Sequence, residues 1–213
     1  MLEEAGLHTI GEMIQTLIFD LGRVLVNVDY GRGCELMAER CGLPAGEVAR
    51  RLDASQLLAP YERGQLSSRG FADKICAAMG ASLSFEDWTA IWCSMFQGGP
   101  IVPAEFIESL HDRYRMVLLS NTSELHWNYL RDSLPALRHF DAFTLSFEVG
   151  ATKPDAPIYL DAVSKAGCAA AECYFTDDTQ VCIEGAHAVG IYARQFTAFE
   201  QLKIDLRGAG VVL

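Results

Sequence analysis

Five short apolar segments, with polar residues near their carboxyl ends, set the strongest limit on how this chain folds. They are TLIFDLG (16–22), MVLLSNT (116–122), AFTLSF (142–147), CYFTDD (173–178) and IYARQF (191–196). Apolar runs of this length are typical of strands buried in a parallel sheet. Between them lie helical patterns around 103–113 and 156–166. Alternating strands and helices predict an α/β fold with a doubly wound parallel sheet.

The stretch from 28 to 98 interrupts this alternation, because it contains helical patterns and no convincing strand. A capping-box pattern at Ser84 and Asp87 predicts the start of one helix, and Gly80 predicts the end of another. The predicted domains are a Rossmann-like core, 1–27 and 99–213, and an inserted helical cap, 28–98, with hinges near 27–31 and 97–101, where Gly31, Gly98, Gly99 and Pro100 cluster.

Charge and apolar content limit the partners of the chain. Its net charge of −11 repels nucleic acid and anionic membranes, since both require a basic face. No apolar run approaches the roughly 18 residues that a transmembrane helix needs, and the acidic start MLEEAGLHTIGEM is unlike a signal peptide. The seven cysteines are scattered without a C-x-x-C pair, so they do not suggest zinc or redox chemistry. We expect a cytoplasmic monomer or homodimer that binds a small molecule and neither nucleic acid nor membrane.

Polar residues at the carboxyl ends of the predicted strands are candidates for a functional site, because ligands bind at that edge of a doubly wound sheet. They are Asp20, Ser120, Asn121, Asp177 and Asp178. Taken singly, each has an ordinary explanation, since aspartates suit turns and Ser120-Asn121-Thr122 could cap the next helix. Lys153, which precedes Pro154, could be a solvated loop residue. The chain order of these residues and their common position at strand ends favour a shared site.

Four segments, in this order, resemble the motifs of the haloacid dehalogenase superfamily, in the branch with a helical cap after the first motif. FDLGRVLVNVD resembles the first motif, VLLSNTS the second, GATKPDAPIY the third and YFTDDTQVCIEGAHAVG the fourth. The resemblance runs from about residue 16 to 196. FDLG, YERGQLS (61–67) and SNTSELH are in addition similar to bacterial α-D-glucose-1-phosphate phosphatases.

The resemblance implies a phosphatase whose nucleophile Asp20 forms an aspartyl-phosphate, with Ser120 and Lys153 as the other catalytic residues. It also implies Mg²⁺, which prefers oxygen ligands and offsets the charge between a carboxylate and a phosphoryl group. The expected metal ligands are Asp20, Asp178 and the carbonyl of Gly22, with Asp177 bound directly or just outside. The expected phosphate and substrate contacts are Leu21, Gly22, Ser120, Asn121 and Lys153, together with Arg63 from a cap loop that also holds Tyr61.

Two positions depart from the pattern that the resemblance implies. Gly22 stands where most phosphatases of the superfamily have a second aspartate, which protonates the leaving group, and Cys182 stands where Asn or Asp is expected. His126 is the nearby titratable residue able to move protons near neutral pH, or else a histidine that packs on a helix face. Without an acid at 22, the rate should depend steeply on the leaving group, which favours hexose 1-phosphates over hexose 6-phosphates.

Two other functions stay open at this point. A 2-haloacid dehalogenase would share the nucleophilic Asp20 but would use no metal, and the pair Asp177 and Asp178 is evidence against it. A catalytically weak, phosphate-binding regulatory protein would explain Gly22 and Cys182. The intact Asp20, Ser120, Lys153 and Asp178 favour the Mg²⁺-dependent phosphatase, acting on a small phosphate monoester such as a hexose 1-phosphate.

Overall fold

The computed structural model describes residues 13–213, so the part of the predicted core at residues 1–12 lies outside the described residues. Its strands are β1 (Thr16–Phe19), β2 (Arg115–Ser120), β3 (Ala142–Leu145), β4 (Cys173–Asp177) and β5 (Tyr192–Gln195). All pair in parallel, in the order β3-β2-β1-β4-β5. Each of the five apolar segments contains one strand, which confirms the predicted α/β fold.

Helices follow or separate these strands throughout the described chain. They are α1 (Tyr30–Cys41), α2 (Ala45–Ser55), α3 (Leu58–Glu62), α4 (Ser68–Met79), α5 (Phe85–Cys93), α6 (Ala104–His111), α7 (Glu124–Leu130), α8 (Ser146–Val149), α9 (Ala156–Ala166), α10 (Gln180–Ala188) and α11 (Phe199–Gly208). Between residues 13 and 213, none of them has the length and apolar character needed to cross a membrane.

Both faces of the sheet are covered, which is why its strands read as continuous apolar runs. Successive side chains of a strand point to opposite faces. Leu17 and Phe19 therefore join the core that α6 and α11 cover. Ile18 joins a second core against α9 and α10, with Ile158 and Ile183. The segment 142–147 departs from its prediction, because its strand ends at Leu145 and a short helix begins at Ser146.

The helices α1 to α5 follow β1 and share a core of their own, which includes Phe71, Trp88 and Trp92. Ser84 caps α5 as predicted, since its hydroxyl accepts from the Asp87 amide at 3.0 Å and donates to the Asp87 carboxylate at 2.7 Å. A separate apolar core is what a cap domain requires. The domain boundaries at 27/28 and 98/99 stay a prediction.

The two chain segments that connect the helices α1 to α5 with the rest lie side by side. The Asn27 side-chain amide donates to the carbonyls of Gly98 (3.4 Å) and Gly99 (3.2 Å). The predicted placement of Gly31 in a linker is wrong, because α1 already begins at Tyr30. The Asp29 carboxylate accepts from the Gly31 amide at 3.0 Å, which fixes this glycine in the first helical turn.

Candidate active site

The strand order brings the predicted site residues together. Because β1 lies between β2 and β4, Asp20 at the end of β1 is flanked by Ser120 at the end of β2 and Asp177 at the end of β4. All three side chains are buried. The chain continues from β2 to β3 on one side of β1 and returns to β4 on the other, so the site lies at the switch point where doubly wound sheets bind ligands.

Lys153 is the cationic centre of this cluster. Its ammonium donates to Asp20 Oδ1 at 2.7 Å, to Asp177 Oδ2 at 2.6 Å and to the Leu119 carbonyl at 3.1 Å. The side chain is 3% exposed, so the solvated-loop alternative is wrong. Burial opposes the charge on Lys153, but the carboxylates of Asp20 and Asp177 together raise its pKa above the ordinary value. Burial raises the pKa of Asp20 to about 7, and the Lys153 ammonium opposes this rise.

Asn121 positions the backbone of Lys153. Its carboxamide oxygen accepts from the Lys153 amide at 2.8 Å, and its Nδ2 donates to the Lys153 carbonyl at 3.1 Å. Both ends of the carboxamide are thus engaged with one peptide segment, which leaves a single N–H of Nδ2 for any other partner. The geometry supports a role in orienting Lys153 more directly than the predicted contact with phosphate or substrate.

Three carboxylates form a potential cation site. One oxygen from each of Asp20, Asp177 and Asp178 lies within 4.8 Å of the others. Asp177 is held on both sides, by Lys153 and by the Thr179 amide, which donates to its Oδ1 at 2.8 Å. Asp178 is less buried, and its carboxylate lies 3.6 Å from Arg23 Nη1. Oxygen ligands of this kind fit a hard divalent cation such as Mg²⁺.

A tight turn follows the predicted nucleophile. The Leu21 carbonyl accepts from the amides of Leu25 (2.9 Å) and Val26 (3.1 Å), and the Arg23 amide donates to the Val26 carbonyl at 2.7 Å. These bonds do not use the Gly22 carbonyl, which is the oxygen that the resemblance implies as a metal ligand. A Cβ at Gly22 would lie 3.3 Å from Val28 Cγ2, so a side chain there requires only a small shift of a valine methyl.

Ser120 is not a helix cap. Ser123 performs that function for α7, because its hydroxyl accepts from the His126 amide at 3.3 Å. The Ser120 hydroxyl makes only a long contact of 3.5 Å with the Asn121 carbonyl. The structure therefore contradicts the capping alternative and leaves the Ser120 hydroxyl next to Asp20 as a donor for a ligand.

A cavity of about 520 Å³ separates the helices α1 to α5 from the carboxyl edge of the sheet. Most of its wall is apolar, and its polar side is formed at the site. Core residues in the wall are Leu21, Gly22, Ser120, Asn121 and Thr122, and residues from α1 to α5 include Tyr30, Met37, Leu52, Glu62, Trp88 and Trp92. Such a cavity is large enough for a small organic ligand attached to a group bound at Asp20.

His126 also lines the cavity, but the structure argues against the predicted acid or base role. Its Nε2 lies 3.3 Å from the Trp92 carbonyl, a bond that requires a proton on Nε2. The ring stacks on Trp92 and meets Phe96 edge-on. Burial lowers the pKa of His126 to about 4, so the imidazole is neutral at pH 7 and its one proton is engaged. The packing alternative describes this histidine better.

His126 should make the folded state sensitive to acid. The unfolded chain binds a proton at His126 near pH 6.5, whereas the folded chain binds it only near pH 4. The contribution of His126 to stability is therefore complete above pH 6.5 and is lost as the pH falls from 6.5 towards 4. At about 1.4 kcal/mol per pKa unit, the loss is at most ~3.5 kcal/mol.

The variant His126→Gln tests this, because glutamine can donate to the Trp92 carbonyl but does not titrate. Urea unfolding at pH 7.5 and 4.5 should show a smaller acid-induced loss of unfolding free energy in the variant than in the native protein. Equal losses would contradict the assignment of a buried, neutral imidazole.

Arg63 and Tyr61 do not form the solvated loop that was predicted. Tyr61 lies in α3, is buried, stacks on Phe71 and donates to Ser68 Oγ at 3.0 Å.

Arg63 follows α3 and binds the core. Its Nε and Nη2 donate to Thr152 Oγ1 at 3.2 and 3.1 Å, and Nη2 also donates to Asp155 at 3.0 Å. Arg63 is not among the residues that line the cavity, and Thr152 and Asp155 engage its guanidinium, so its contact with phosphate or substrate stays a prediction that this arrangement does not favour.

Two charged residues at the site were not singled out by the sequence patterns. Glu62 lines the cavity from the last position of α3, and Arg23 lies over the Tyr30 ring at 4.9 Å and beside Asp178. A signal for Glu62 exists in the segment YERGQLS, because a carboxylate in the last turn of a helix faces unpaired carbonyls and is disfavoured there. No comparable local signal marks Arg23.

Comparison with known proteins agrees with the fold. A sequence model described as haloacid dehalogenase-like hydrolase matches residues 100–190. The chain is 25% identical over 175 residues to D-ribitol-5-phosphate phosphatase of Bacteroides thetaiotaomicron. The aligned region covers 78% of this chain and 84% of the relative.

Solved structures give the same class. A HAD family enzyme of Bacteroides thetaiotaomicron matches with a TM-score of 0.81 and 27% identity, covering 92% of this chain and 100% of that one. A structure of that enzyme in complex with magnesium and inorganic phosphate matches with a TM-score of 0.78 and 25% identity, over 87% and 96% of the chains. L-2-haloacid dehalogenase of Xanthobacter autotrophicus shares the fold, with a TM-score of 0.62 and 15% identity over 94% and 85%.

The parallel sheet, the order of the four motifs and these likenesses define one class of enzyme. Residues 100–190 match haloacid dehalogenase-like hydrolases, and the chain is similar over 92% of its length to a solved HAD family enzyme. Among the proteins to which the chain is homologous is a phosphatase.

Proposed function

We propose that the protein is a Mg²⁺-dependent phosphatase that hydrolyses a small phosphate monoester through an aspartyl-phosphate on Asp20. The observation that carries this proposal is the cluster at the end of β1. There the Lys153 ammonium contacts Asp20 and Asp177, and the three carboxylates of the cluster lie within 4.8 Å of one another. A carboxylate nucleophile, a cation site and a buried ammonium together provide the charges that phosphoryl transfer requires.

The carboxylates of Asp20 and Asp178 and the Gly22 carbonyl would hold the Mg²⁺. Once bound, Mg²⁺ neutralises negative charge shared by the nucleophile and the phosphoryl oxygens. Asp177 is better suited to support than to direct binding, because Lys153 and the Thr179 amide already engage its two oxygens. Asp178 is held by longer contacts, with Thr179 Oγ1 at 3.3 Å and Arg23 Nη1 at 3.6 Å, so its carboxylate can turn towards a cation more easily.

The residues of this chain provide the nucleophile and the hydrogen-bond donors for phosphoryl transfer. Asp20 attacks phosphorus, and the bond from phosphorus to the leaving oxygen breaks. Ser120, Lys153 and the amides of Leu21 and Gly22 provide donors for the phosphoryl oxygens as their charge is redistributed. All three N–H bonds of Lys153 are engaged in the structure, so a phosphoryl group must take the place of one of these partners.

For the substrate we propose a sugar phosphate such as a hexose 1-phosphate, which the similarity of FDLG, YERGQLS and SNTSELH to glucose-1-phosphate phosphatases supports. A sugar-alcohol phosphate is a second candidate, because the relative that is 25% identical is a D-ribitol-5-phosphate phosphatase. The cavity of about 520 Å³ can accommodate either class. Parallel assays of phosphate release from both classes of ester would separate them.

The two other functions are less well supported. The likeness to L-2-haloacid dehalogenase, at 15% identity, concerns the fold alone. A dehalogenase that works without metal would not require three clustered carboxylates. A phosphate-binding regulatory protein is consistent with Gly22 and Cys182, but not with a nucleophile, an ammonium and a cation site that are all in place. An assay of Mg²⁺-dependent phosphate release distinguishes the three functions, because only the phosphatase should release phosphate.

Removal of divalent metal should abolish hydrolysis of p-nitrophenyl phosphate, because Asp20 would then repel the phosphoryl group. Phosphate release in excess EDTA, and its recovery on addition of Mg²⁺, measure this. Asp178→Asn should require a higher Mg²⁺ concentration for half-maximal rate, whereas Asp132→Asn, at an exposed aspartate outside the site, should not. Unchanged turnover in EDTA would refute the proposed mechanism, and an Asp178→Asn variant that no added Mg²⁺ restores would refute its role as a simple ligand.

A further inference from the structure

The end of α3 is fixed against the core beside the phosphate site. Arg63 binds Thr152 and Asp155 in the loop that precedes α9. Gly64 follows with a φ of +69°, and a Cβ at this position would overlap the Phe147 carbonyl oxygen. Glycine is thus required at 64 by both its backbone conformation and its close approach to the core. These contacts restrict where the last residue of α3, Glu62, can place its side chain.

Glu62 lines the same cavity as Gly22, Ser120 and Asn121. Its carboxyl group makes no hydrogen bond or ion pair with any residue between 13 and 213. A carboxyl group that is largely removed from water without a partner is costly, unless it is protonated or meets a ligand. The Glu62 carboxyl therefore lines a cavity that reaches the residues next to Asp20, and no described residue holds it there.

Burial favours the protonated form of Glu62, whereas the charge of Lys153 opposes it. Burial raises the pKa of Glu62 to about 7, and the Lys153 ammonium opposes this rise. Tyr30, on α1, faces the same cavity, and the charges of both Glu62 and Asp20 act on its phenol. Asp53 on α2 is an exposed carboxylate in the cavity wall. Glu62 therefore lies within electrostatic reach of the ammonium that would bind phosphate, and Tyr30 feels the charges of both Glu62 and the nucleophile Asp20.

We propose that Glu62 is the general acid and base of the hydrolase, in place of the carboxylic acid that Gly22 lacks. The inference rests on the proposed phosphatase function. Gly22 by itself predicts a rate that depends steeply on the leaving group. If Glu62 protonates the leaving oxygen, this dependence should be weak.

The proton transfers balance over two steps. When Asp20 attacks phosphorus and the bond to the leaving oxygen breaks, the Glu62 carboxyl gives its proton to that oxygen, which leaves as a neutral alcohol. The Glu62 carboxylate then takes a proton from a water molecule whose oxygen attacks the phosphorus of the aspartyl-phosphate. The bond from phosphorus to Asp20 breaks, so that phosphate is released and both carboxyl groups regain their starting states.

The variant Glu62→Gln tests this inference with a series of esters from p-nitrophenyl phosphate, a good leaving group, to phenyl phosphate and an alkyl phosphate. In the native protein kcat/KM should depend weakly on the leaving group. In Glu62→Gln it should fall by about 10²–10⁴-fold for the alkyl phosphate, the usual contribution of a general acid, and far less for p-nitrophenyl phosphate. Glu39→Gln, the same change at an exposed position of α1, should behave as the native protein.

A second variant separates loss of an acid from loss of structure. Adding Gly22→Asp to Glu62→Gln should restore part of the rate with the alkyl phosphate, since it places a carboxylic acid two residues after Asp20. Equal loss with every ester, or no loss, in Glu62→Gln would overturn the role of Glu62 while the phosphatase function stands. A native protein without Mg²⁺-dependent turnover of any ester would overturn both.

A measurement that needs no turnover completes the test. In protein labelled with ¹³C at glutamate side chains, one carboxyl resonance should titrate near neutral pH and be absent from Glu62→Gln. A Glu62 resonance that titrates near the ordinary glutamate value of about 4.3 would leave no acid at neutral pH and would overturn the inference.

Discussion

Replacing Asp20 by asparagine should reduce phosphate release on the order of 10⁴-fold or more, while the protein stays folded. Loss of the nucleophile removes the covalent route entirely, and losses of this size are typical when a nucleophile is deleted. The change is nearly isosteric, and the asparagine oxygen can still accept from Lys153 Nζ, which lies 2.7 Å from Asp20 Oδ1. Steady-state assays with p-nitrophenyl phosphate and Mg²⁺ measure the effect.

The stability of Asp20→Asn should be no lower than that of the native protein in the absence of metal. Burial is the largest influence on Asp20 and raises its pKa to about 7, so a neutral side chain costs little at this position near pH 7. Beryllium fluoride, which mimics a phosphoryl group on a carboxylate, should inhibit the native protein and should not bind the variant. Substantial turnover by a correctly folded Asp20→Asn protein would show that another group is the nucleophile.

Replacing Lys153 by methionine should impair both catalysis and folding. Loss of the ammonium removes a donor for the phosphoryl oxygens and should lower kcat on the order of 10³-fold or more. It also leaves Asp20 and Asp177 buried beside each other without their shared cation, and breaking a buried ion pair in this way costs about 3–5 kcal/mol. Added Mg²⁺ should not restore the rate, because Lys153 would supply N–H donors to the phosphoryl oxygens and a cation has none.

Lys165→Met is the matched control for this variant. Lys165 forms an ion pair with Asp161 at 2.7 Å and donates to the Phe143 carbonyl at 2.8 Å, near the opposite edge of the sheet. The control should keep its activity and lose much less stability, as measured by urea unfolding at the same pH. A Lys153→Met protein as stable as the native one would mean that the buried carboxylates find other partners or become protonated at little cost.

Secondary structure could be predicted because its signals are local. Apolar runs that end in Asp20, Ser120 and Asp177 mark strands, and Gly80 and Gly167 mark helix ends, where each has a positive φ. The same patterns identify which edge of the sheet carries the polar residues, since carboxyl ends of parallel strands share an edge. They do not fix the last residue of a strand, which explains why the turn to helix at Ser146 was not foreseen.

Partners of the individual site residues depend on contacts across long stretches of chain. Asn121 was expected to contact phosphate or substrate, but it holds Lys153, which lies 32 residues further along. The sequence makes His126 a candidate acid, but its ring stacks on Trp92 and its Nε2 donates to the Trp92 carbonyl. In both cases the residue type permits several partners, and only the packed structure selects one.

The sequence alone determined the α/β class, the order of strands and helices and the set of residues at the carboxyl edge, because side-chain periodicity and strand ends are local properties. The strand order β3-β2-β1-β4-β5, which places Asp20 between its neighbours, was decided by tertiary packing. So was the approach of α3 to the core, where Arg63 binds the core loop and Glu62 lines the cavity. These arrangements follow from burial and charge pairing between distant segments, for which a single sequence holds no local signal.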